Sequence, residues 1–354
     1  MKKVLISMAA AAAALCTISC NKDVAPEITP QEPIVEVSDD RVDLTVNISG
    51  TMTTKSTTIT EADEETVKSI QVFIFRGDDL DAYAREDLAD GAIEPLTEIT
   101  VSCTKGKRNV YAFVNAPDLS GILTETELKA TVSDLKDNEA GKFVMMNTTL
   151  NKEITETTSL PCEVTRLAAR VAIKKITRNF TSPSLAAMDF EIDAIYLINV
   201  AHSMNYGLTS TPSTFYNDGD YNSGNLPALT YDELGEPLIN NSSYSTHAHT
   251  FYCYPNFTSD NPTRLVVKTT LWDDANNNDT LDSGEKTYTY YYPITIPSIE
   301  RNKSYEITEL IITRPGATTP DTEIEFAEGC VTISVDDWTV VTVKDSEEND
   351  YIKI

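Results

Sequence analysis

The chain has 354 residues, with 55 acidic against 28 basic side chains and a formal net charge of −27. A surface this acidic repels phosphate backbones, which argues against nucleic acid as a partner. The length suits two domains better than one.

The first residues have the pattern of an export signal. Lys2 and Lys3 precede an apolar, alanine-rich run over residues 4–15. This run is too short for a membrane span and has the length of a signal-peptide core. We therefore predict a signal peptide over residues 1–19 and an exported chain.

Cys20 is the predicted lipidation site. It follows a small residue, as in a bacterial lipoprotein signal, although Thr17 stands where leucine is usual. The alternatives are lipidation at Cys16, which follows the bulky Leu15, and a plain secretory signal. A lipid on Cys20 would hold the protein to a membrane without spanning it.

Residues 20–40 are predicted to form a lipid-anchored linker, because they are acidic and carry three prolines. A strand is predicted next, over residues 42–50, where apolar and polar side chains alternate. A polar run of Thr and Ser with Lys55 in its middle follows. We interpret the strand as removable; the alternative is an ordinary edge strand with a flexible exit loop. Its apolar face consists of Val42, Leu44, Val46 and Ile48.

From residue 66 onward the sequence predicts short strands rich in β-branched residues and tyrosine. The clearest helical segment is residues 120–137. Residues 161–180 are interpreted as a long strand that opens a second domain, although their basic residues also recur at helical spacing. The predicted fold is mainly β, with two antiparallel β-sandwich domains, residues 41–160 and 161–354, and one short helix in the first.

No catalytic motif is recognisable in the sequence. GxSxG, GxxxxGK[ST] and a strand-following GxGxxG are absent, so we predict that the chain is not an enzyme and requires no cofactor. His247 and His249 would share one strand face, but no acidic cluster completes a metal site there. The mature chain has no C-x-x-C pair, which argues against zinc. Its cysteines are expected to be small buried hydrophobes, with disulfide pairing left open: Cys103, Cys162, Cys253 and Cys330.

Residues 274–285 have the spacing of a calcium-binding loop. Oxygen-bearing side chains stand at positions 1, 3, 5, 7, 9 and 12, as in an EF-hand, but the usual glycine at position six is missing. The alternative is a polar turn between two strands. The candidate Ca²⁺ ligands are Asp274, Asn276, Asn278, Thr280, Asp282 and Glu285.

The C-terminal part alternates in the same way as the first strand. Residues 331–338 show the pattern, and residues 339–343 repeat it before a charged tail. A chain with a removable strand at one end and an extra strand at the other can polymerise by strand exchange. The donor-strand segment is placed near residues 331–354, with Val331, Ile333, Val335, Val341 and Val343 as its apolar positions.

Taken in order, these segments resemble the type V pilins, or fimbrillins. These proteins are the subunits of surface fimbriae and are made as lipoprotein precursors. The resemblance covers nearly the whole chain, except residues 205–245, and is strongest to the major, stalk-forming fimbrillin. It rests on the segments CNKD, VDLTVNISG, VKSIQVFIF, KRNVYAFVNAP, VTRLAARVAI, IERNKSYEITELIITRPG and VTISVDDW.

The resemblance implies two transthyretin-like sandwiches and export to the outer membrane by a lipid anchor. It also implies proteolysis after the first strand, followed by entry of a C-terminal strand from another subunit. The family's cut follows an arginine, whereas Lys55 and Ser56 flank the matching bond here. The protease would then be trypsin-like, or specific for arginine and lysine. Arg41 is a rival site, but a cut there would leave the strand attached.

The implied partners are identical subunits, anchor and tip fimbrial subunits, the protease, and host or bacterial surface ligands. A removable strand argues against an anchor subunit and the C-terminal strands argue against a tip, so an adhesive stalk is favoured. The alternative function is a static surface lipoprotein that binds carbohydrate or host protein. Its binding residues would be the loop tyrosines Tyr216, Tyr221, Tyr231 and Tyr244.

Overall fold

The fold is known from a computed structural model. It describes residues 40–49, 66–89, 96–139, 142–221, 228–232, 238–239, 243–244, 249–278, 280–296 and 298–338. Several predicted features lie outside these residues: the signal peptide, Cys20, Lys55, Ser56, His247, Val341 and Val343. Within the described part, no helix is long and apolar enough to cross a membrane.

The first half of the chain contains nine strands and one short α-helix in its described residues. The strands are β1 (Arg41–Ser49), β2 (Ser69–Arg76), β3 (Asp79–Asp87), β4 (Glu98–Thr104), β5 (Gly106–Val114), β6 (Val132–Asp134), β7 (Met145–Ile154), β8 (Thr158–Glu163) and β9 (Thr165–Arg166). Helix α1 is Glu125–Ala130, and a 3₁₀ turn covers Leu135–Asp137.

These strands form the first sandwich. One sheet has the order β4-β1-β8, and the facing sheet has the order β3-β2-β5-β7-β9. Alternate side chains of β1, β2 and β5 meet between the sheets, among them Leu44, Val72 and Ala112. The opposite face of the second sheet is also buried, because Phe73 and Phe113 join the core shared with the second half. Strand β2 is therefore apolar along nearly its whole length, as expected for a strand buried on both faces.

The second half is described as fourteen strands and one further α-helix. The strands are β10 (Ala169–Ile173), β11 (Ile176–Arg178), β12 (Asp189–Ile198), β13 (Val200–Ala201), β14 (Ser203–Asn205), β15 (Phe215–Tyr216), β16 (Tyr231–Asp232), β17 (Leu238–Ile239), β18 (Ser243–Tyr244), β19 (His249–Cys253), β20 (Arg264–Trp272), β21 (Thr287–Thr295), β22 (Lys303–Ile312) and β23 (Val331–Asp337). Helix α2 is Pro183–Ala186, and a second 3₁₀ turn covers Ala228–Thr230.

These strands form the second sandwich. One sheet has the order β18-β11-β22-β10-β19 with β23 beside β22, and the other has the order β16-β12-β20-β21 with β17 beside β12. Val171 and Ile307 from the first sheet pack with Ile195 and Val267 from the second. The predicted mainly-β fold of two sandwiches is confirmed. The pairing is mostly antiparallel, but β1 with β8 and β22 with β10 and β11 are parallel.

The predicted helix over residues 120–137 is present in shorter form. Helix α1 begins after Thr124, whose hydroxyl caps it by accepting a hydrogen bond from the backbone N–H of Glu127 (3.1 Å). After one and a half turns the chain enters β6 and a 3₁₀ turn instead of continuing. The four-residue helix α2 in the second half was not predicted.

The segment 161–180 is divided into four strands. The end of β8 pairs with β1 and β9 pairs with β7, so both belong to the first sandwich. Strands β10 and β11 pair with β22 and belong to the second. The boundary expected between residues 160 and 161 falls inside β8.

Candidate assembly site

Strand β1 is the middle strand of its sheet. Residues Arg41–Asn47 pair antiparallel with β4, and residues Leu44–Ser49 pair parallel with β8. The alternative of an ordinary edge strand is therefore wrong. Strands β4 and β8 are joined through β1, and β8 has no other ladder partner among the described strands.

The apolar face of β1 fills the core of the first sandwich. Leu44 and Val46 are fully buried, while Val42 and Ile48 are half-buried at the two ends. Burial of a Leu or Val side chain is worth about 1.5–3 kcal/mol. The prediction that these four residues share one inward face is confirmed. Loss of β1 would leave an apolar groove between β4 and β8.

The outer face of β1 is held by polar contacts. The Asn47 amide donates a hydrogen bond to the Ser159 hydroxyl on β8 (2.5 Å), and the hydroxyls of Thr45 and Thr100 are 2.9 Å apart. The Arg41 guanidinium donates to the Ser102 carbonyl on β4 (2.6 Å). These contacts are exposed, so each contributes little to the stability of the folded protein. The strand is fixed mainly by its two ladders and its buried side chains.

Two cysteines lie on either side of β1. Cys103 on β4 is opposite Val42, and Cys162 on β8 is opposite Ile48. Burial raises the pKa of the Cys162 thiol to about 12 and also raises the pKa of Cys103. All four described cysteines are buried and free, in agreement with their interpretation as small hydrophobes. Cys103 and Cys162 line the groove that β1 occupies.

The structure changes the interpretation of the C-terminal donor segment. Val331, Ile333 and Val335 lie on β23, which pairs antiparallel with β22 of the same chain. Val331 and Ile333 are half-buried against this chain's own core, and Val335 is 54% exposed. The placement of these three residues in a donor strand does not fit this pairing, because they complete the second sandwich.

Trp338 is the last described residue, and its side chain is buried among aromatic residues and an arginine. Its side chain is 1% exposed and lies 5.3 Å from Phe143 and 5.5 Å from Tyr252, measured between ring centroids. The buried Arg166 guanidinium lies 4.2 Å above the indole, a cation–π contact. The Trp338 backbone N–H donates to the Asn302 carbonyl (2.9 Å). The sequence offered one signal for this anchor, a lone tryptophan at the end of an alternating strand.

The six predicted calcium ligands lie in one exposed loop between β20 and β21. The Asp282 carboxylate accepts hydrogen bonds from the amides of Asn276 (2.7 Å) and Asn278 (2.8 Å). The Glu285 carboxylate accepts from the backbone N–H groups of Ala275 (3.2 Å) and Asp282 (2.9 Å). In the part of the chain that the structure describes, no cluster of three or more His, Cys, Asp or Glu side chains could hold a metal.

Three of the four loop tyrosines pack against neighbouring side chains. Tyr216 is buried, stacks on His202 (4.3 Å) and donates a hydrogen bond to Asp134 (2.7 Å). Tyr221 and Tyr231 stack on each other, with ring centroids 4.7 Å apart. Of the two histidines expected on one strand face, His249 is buried on β19. These contacts favour the packing role for the tyrosines over a sugar-binding one.

Comparison with known proteins agrees with this architecture. Residues 41–177 match the family model described as "Major fimbrial subunit protein (FimA)". A relative from Parabacteroides distasonis, named as the fimbrium tip subunit Fim1C, is 24% identical over 290 residues, which cover 73% of each chain.

Solved structures show the same fold. A fimbrilin (FimA) from Porphyromonas gingivalis W83 superposes with a TM-score of 0.59 at 18% identity, covering 85% of this chain and 98% of that one. The tip fimbrial protein Mfa3 from Porphyromonas gingivalis gives a TM-score of 0.50 at 15% identity, covering 84% and 100%.

The paired sandwiches with a central first strand are a mainly-β architecture, and solved fimbrial proteins share this fold. Residues 41–177 of the chain match the family of major fimbrial subunits, and the chain is similar to fimbrial subunits over most of its length.

Proposed function

We propose that the protein is a stalk subunit of a surface fimbrium, exported as a lipoprotein through Cys20 and polymerised by donor-strand exchange. The observation that carries this proposal is the position of β1 in the middle of its sheet. A central strand at the start of a domain leaves two unpaired ladders and an apolar groove when it is removed. Another subunit's strand can fill both.

The proposed cleavage follows Lys55, six positions after the last residue of β1. A cut there separates β1 from the rest of the domain, since the next described strand begins at Ser69. The rival site, Arg41, is the first residue of β1, so that cut would leave the groove filled. A trypsin-like protease, or one that accepts both arginine and lysine, fits Lys55.

The proposed donor segment begins after Trp338. Because the chain is anchored there, residues 339–354 are the part that can leave this subunit. Val341 and Val343 are two positions apart, as are Leu44 and Val46 in β1. A strand has a side-chain period of two, so both valines can point into a neighbour's groove.

The stalk role rests on this donor segment together with the removable strand. The match to the major-subunit family supports it, while the tip subunit among the relatives keeps a tip role as the second candidate. The other proposed partners are identical subunits, anchor and tip subunits, and host or bacterial surface ligands. The mature location would be an extracellular fimbrium.

Limited proteolysis tests the proposed function. Protein beginning at Asn21 is treated briefly with trypsin, its new N-terminus is sequenced, and it is run unboiled on a denaturing gel. We expect a terminus at Ser56 and a heat-labile ladder of polymers. Only monomer after this cut would favour a tip subunit, and resistance of Lys55 with β1 retained would contradict the proposal. A Lys55→Gln variant is the control.

We propose separately that loop 274–285 takes calcium. Six oxygen-bearing side chains share the loop, and the amides of Asn276 and Asn278 already converge on Asp282. Binding would require these amides to turn their oxygens inward. Calorimetric titration should show calcium binding that Glu285→Gln weakens at least tenfold, because the twelfth position normally supplies both carboxylate oxygens. Equal affinity of the two proteins, or no binding, would contradict this prediction.

A further inference from the structure

An open cleft of about 300 Å³ is lined by residues of the second half of the chain. Its walls come from β14, which pairs with β6 of the first half, and from the segments that follow β19 and precede β22. The lining mixes apolar and polar side chains. The residues that matter here are Met204, Leu208, Pro255, Phe257, Glu300 and Arg301.

Two large apolar side chains of this cleft are exposed. Phe257 is 62% exposed and Leu208 is 43% exposed. Single exposed apolar residues are common, but these two line the same cleft and offer one combined apolar surface. An exposed aromatic residue beside a concave surface is the arrangement from which interface hot spots are built.

The cleft lies beside the point where the chain leaves the second sandwich. Arg301 lines the cleft, and the next residue, Asn302, accepts the backbone hydrogen bond of Trp338 (2.9 Å). Arg301 itself is fixed, because its guanidinium donates to the carbonyls of Thr165 (2.9 Å) and Arg166 (3.1 Å). The wall of the cleft is therefore rigid next to the exit of the donor segment.

The position of the donor valines limits the distance to the neighbouring subunit. Val341 and Val343 follow Trp338 by three and five positions. Fully extended, these stretches span at most about 11 and 18 Å. A neighbour that receives the two valines must therefore lie against the surface around Trp338.

We propose that this cleft is the docking surface for the next copy of the chain in the fimbrium. This inference rests on the proposed strand exchange and adds a second contact to it. The contact is heterologous, since the cleft of one copy meets the surface beside the groove of the next, and such contacts generate filaments. The cleft offers Phe257 and Leu208 as apolar anchors, with Glu300 and Arg301 as a polar rim.

The test compares Phe257→Asp with Leu150→Asp in protein beginning at Asn21. Leu150 is 54% exposed and lies on β7 of the first sandwich, outside the lining of the cleft. After trypsin treatment we expect dimers of Phe257→Asp to form at least tenfold more slowly than those of the wild type. Leu150→Asp should assemble at the wild-type rate. Both variants should keep the wild-type melting temperature and cleavage at Lys55.

A photo-crosslinking residue at position 257 separates this inference from the proposed function. If the wild type forms a ladder but Phe257→Asp assembles equally fast, only the docking surface is overturned. Equal slowing of the two variants also overturns it. If no ladder forms, a crosslinked dimer still supports docking, and the absence of both a ladder and a crosslink overturns the two proposals together.

Discussion

At the scale of single residues, Trp338 anchors the C-terminal end of the described chain to the rest of the fold. It touches Phe143 and Arg166 from the first half and Tyr252 and Asn302 from the second. The two halves and the C-terminal strand therefore meet at one side chain. In the proposed strand exchange, this contact places the donor segment after Trp338.

Replacement of Trp338 should destabilise the whole chain. We expect Trp338→Ala to lower the free energy of unfolding by about 3–5 kcal/mol, because a fully buried aromatic side chain leaves a cavity. Trp338→Phe should cost clearly less. Urea unfolding measures both, and a loss below about 1 kcal/mol for the alanine variant would show that the anchor is unimportant.

A buried ion pair lies in the first sandwich, near the turn between β4 and β5. Asp81 and Arg108 are each 5% exposed and lie 2.8 Å apart, and Asp81 also accepts hydrogen bonds from Thr104. Burial alone would raise the pKa of Asp81. The hydrogen bonds from Arg108 and Thr104 outweigh burial and hold its pKa below the ordinary value of 3.8.

This pair predicts a dependence of stability on pH. Since the pKa of Asp81 is lowered by folding, its contribution is complete above the ordinary pKa and is lost as pH falls through the lowered one. Asp81→Asn should destabilise the protein by about 3–5 kcal/mol at neutral pH, as it leaves Arg108 buried without its charge partner. The difference in melting temperature between the two proteins should shrink below pH 3.8. A constant difference would contradict this account.

At the scale of elements, β1 is deeply buried but is held only by backbone ladders and side-chain packing. It contributes two ladders and two fully buried side chains but no disulfide or buried ion pair among the described contacts. On the proposed function, a strand of matching apolar period would take its place. Cys103 and Cys162 flank it and report on whether the groove is filled.

Removal of β1 should expose these two thiols selectively. In the intact protein Cys103 and Cys162 are buried with raised pKa values, so they should react slowly with a thiol reagent. After cleavage at Lys55 and separation of the released segment, their labelling should accelerate at least tenfold. Cys253, buried in the second sandwich, is the internal control and should not change. Faster labelling of all three cysteines would indicate general unfolding instead of an open groove.

At the scale of the whole molecule, the two sandwiches share one continuous core. Aromatic residues of β2 and β5 pack against α1 and the second half, while the other face of the same sheet holds β1. Loss of β1 would therefore break the β4-β1-β8 sheet and uncover one face of the facing sheet, but the shared core contains no residue of β1. On the proposed function, the groove would open without unfolding of this shared core.

The sequence predicted the elements with strong local patterns. The alternation of Val42, Leu44, Val46 and Ile48 identified β1 and its inward face, and the fold class followed from many similar strands. The central position of β1 was not predictable, because pairing with β8 depends on contacts more than a hundred residues away. The alternation in β23 was equally clear, but alternation alone does not tell which chain a strand pairs with.

The measurement that tests the central claim most directly adds a synthetic peptide of residues 339–354 to the cleaved protein and follows labelling of Cys103 and Cys162. If the peptide occupies the place of β1, labelling of both thiols should slow to nearly the rate of the intact protein. A peptide with Val341→Asp and Val343→Asp should give no protection. Labelling that the native peptide leaves unchanged would contradict the claim that the segment after Trp338 replaces the first strand.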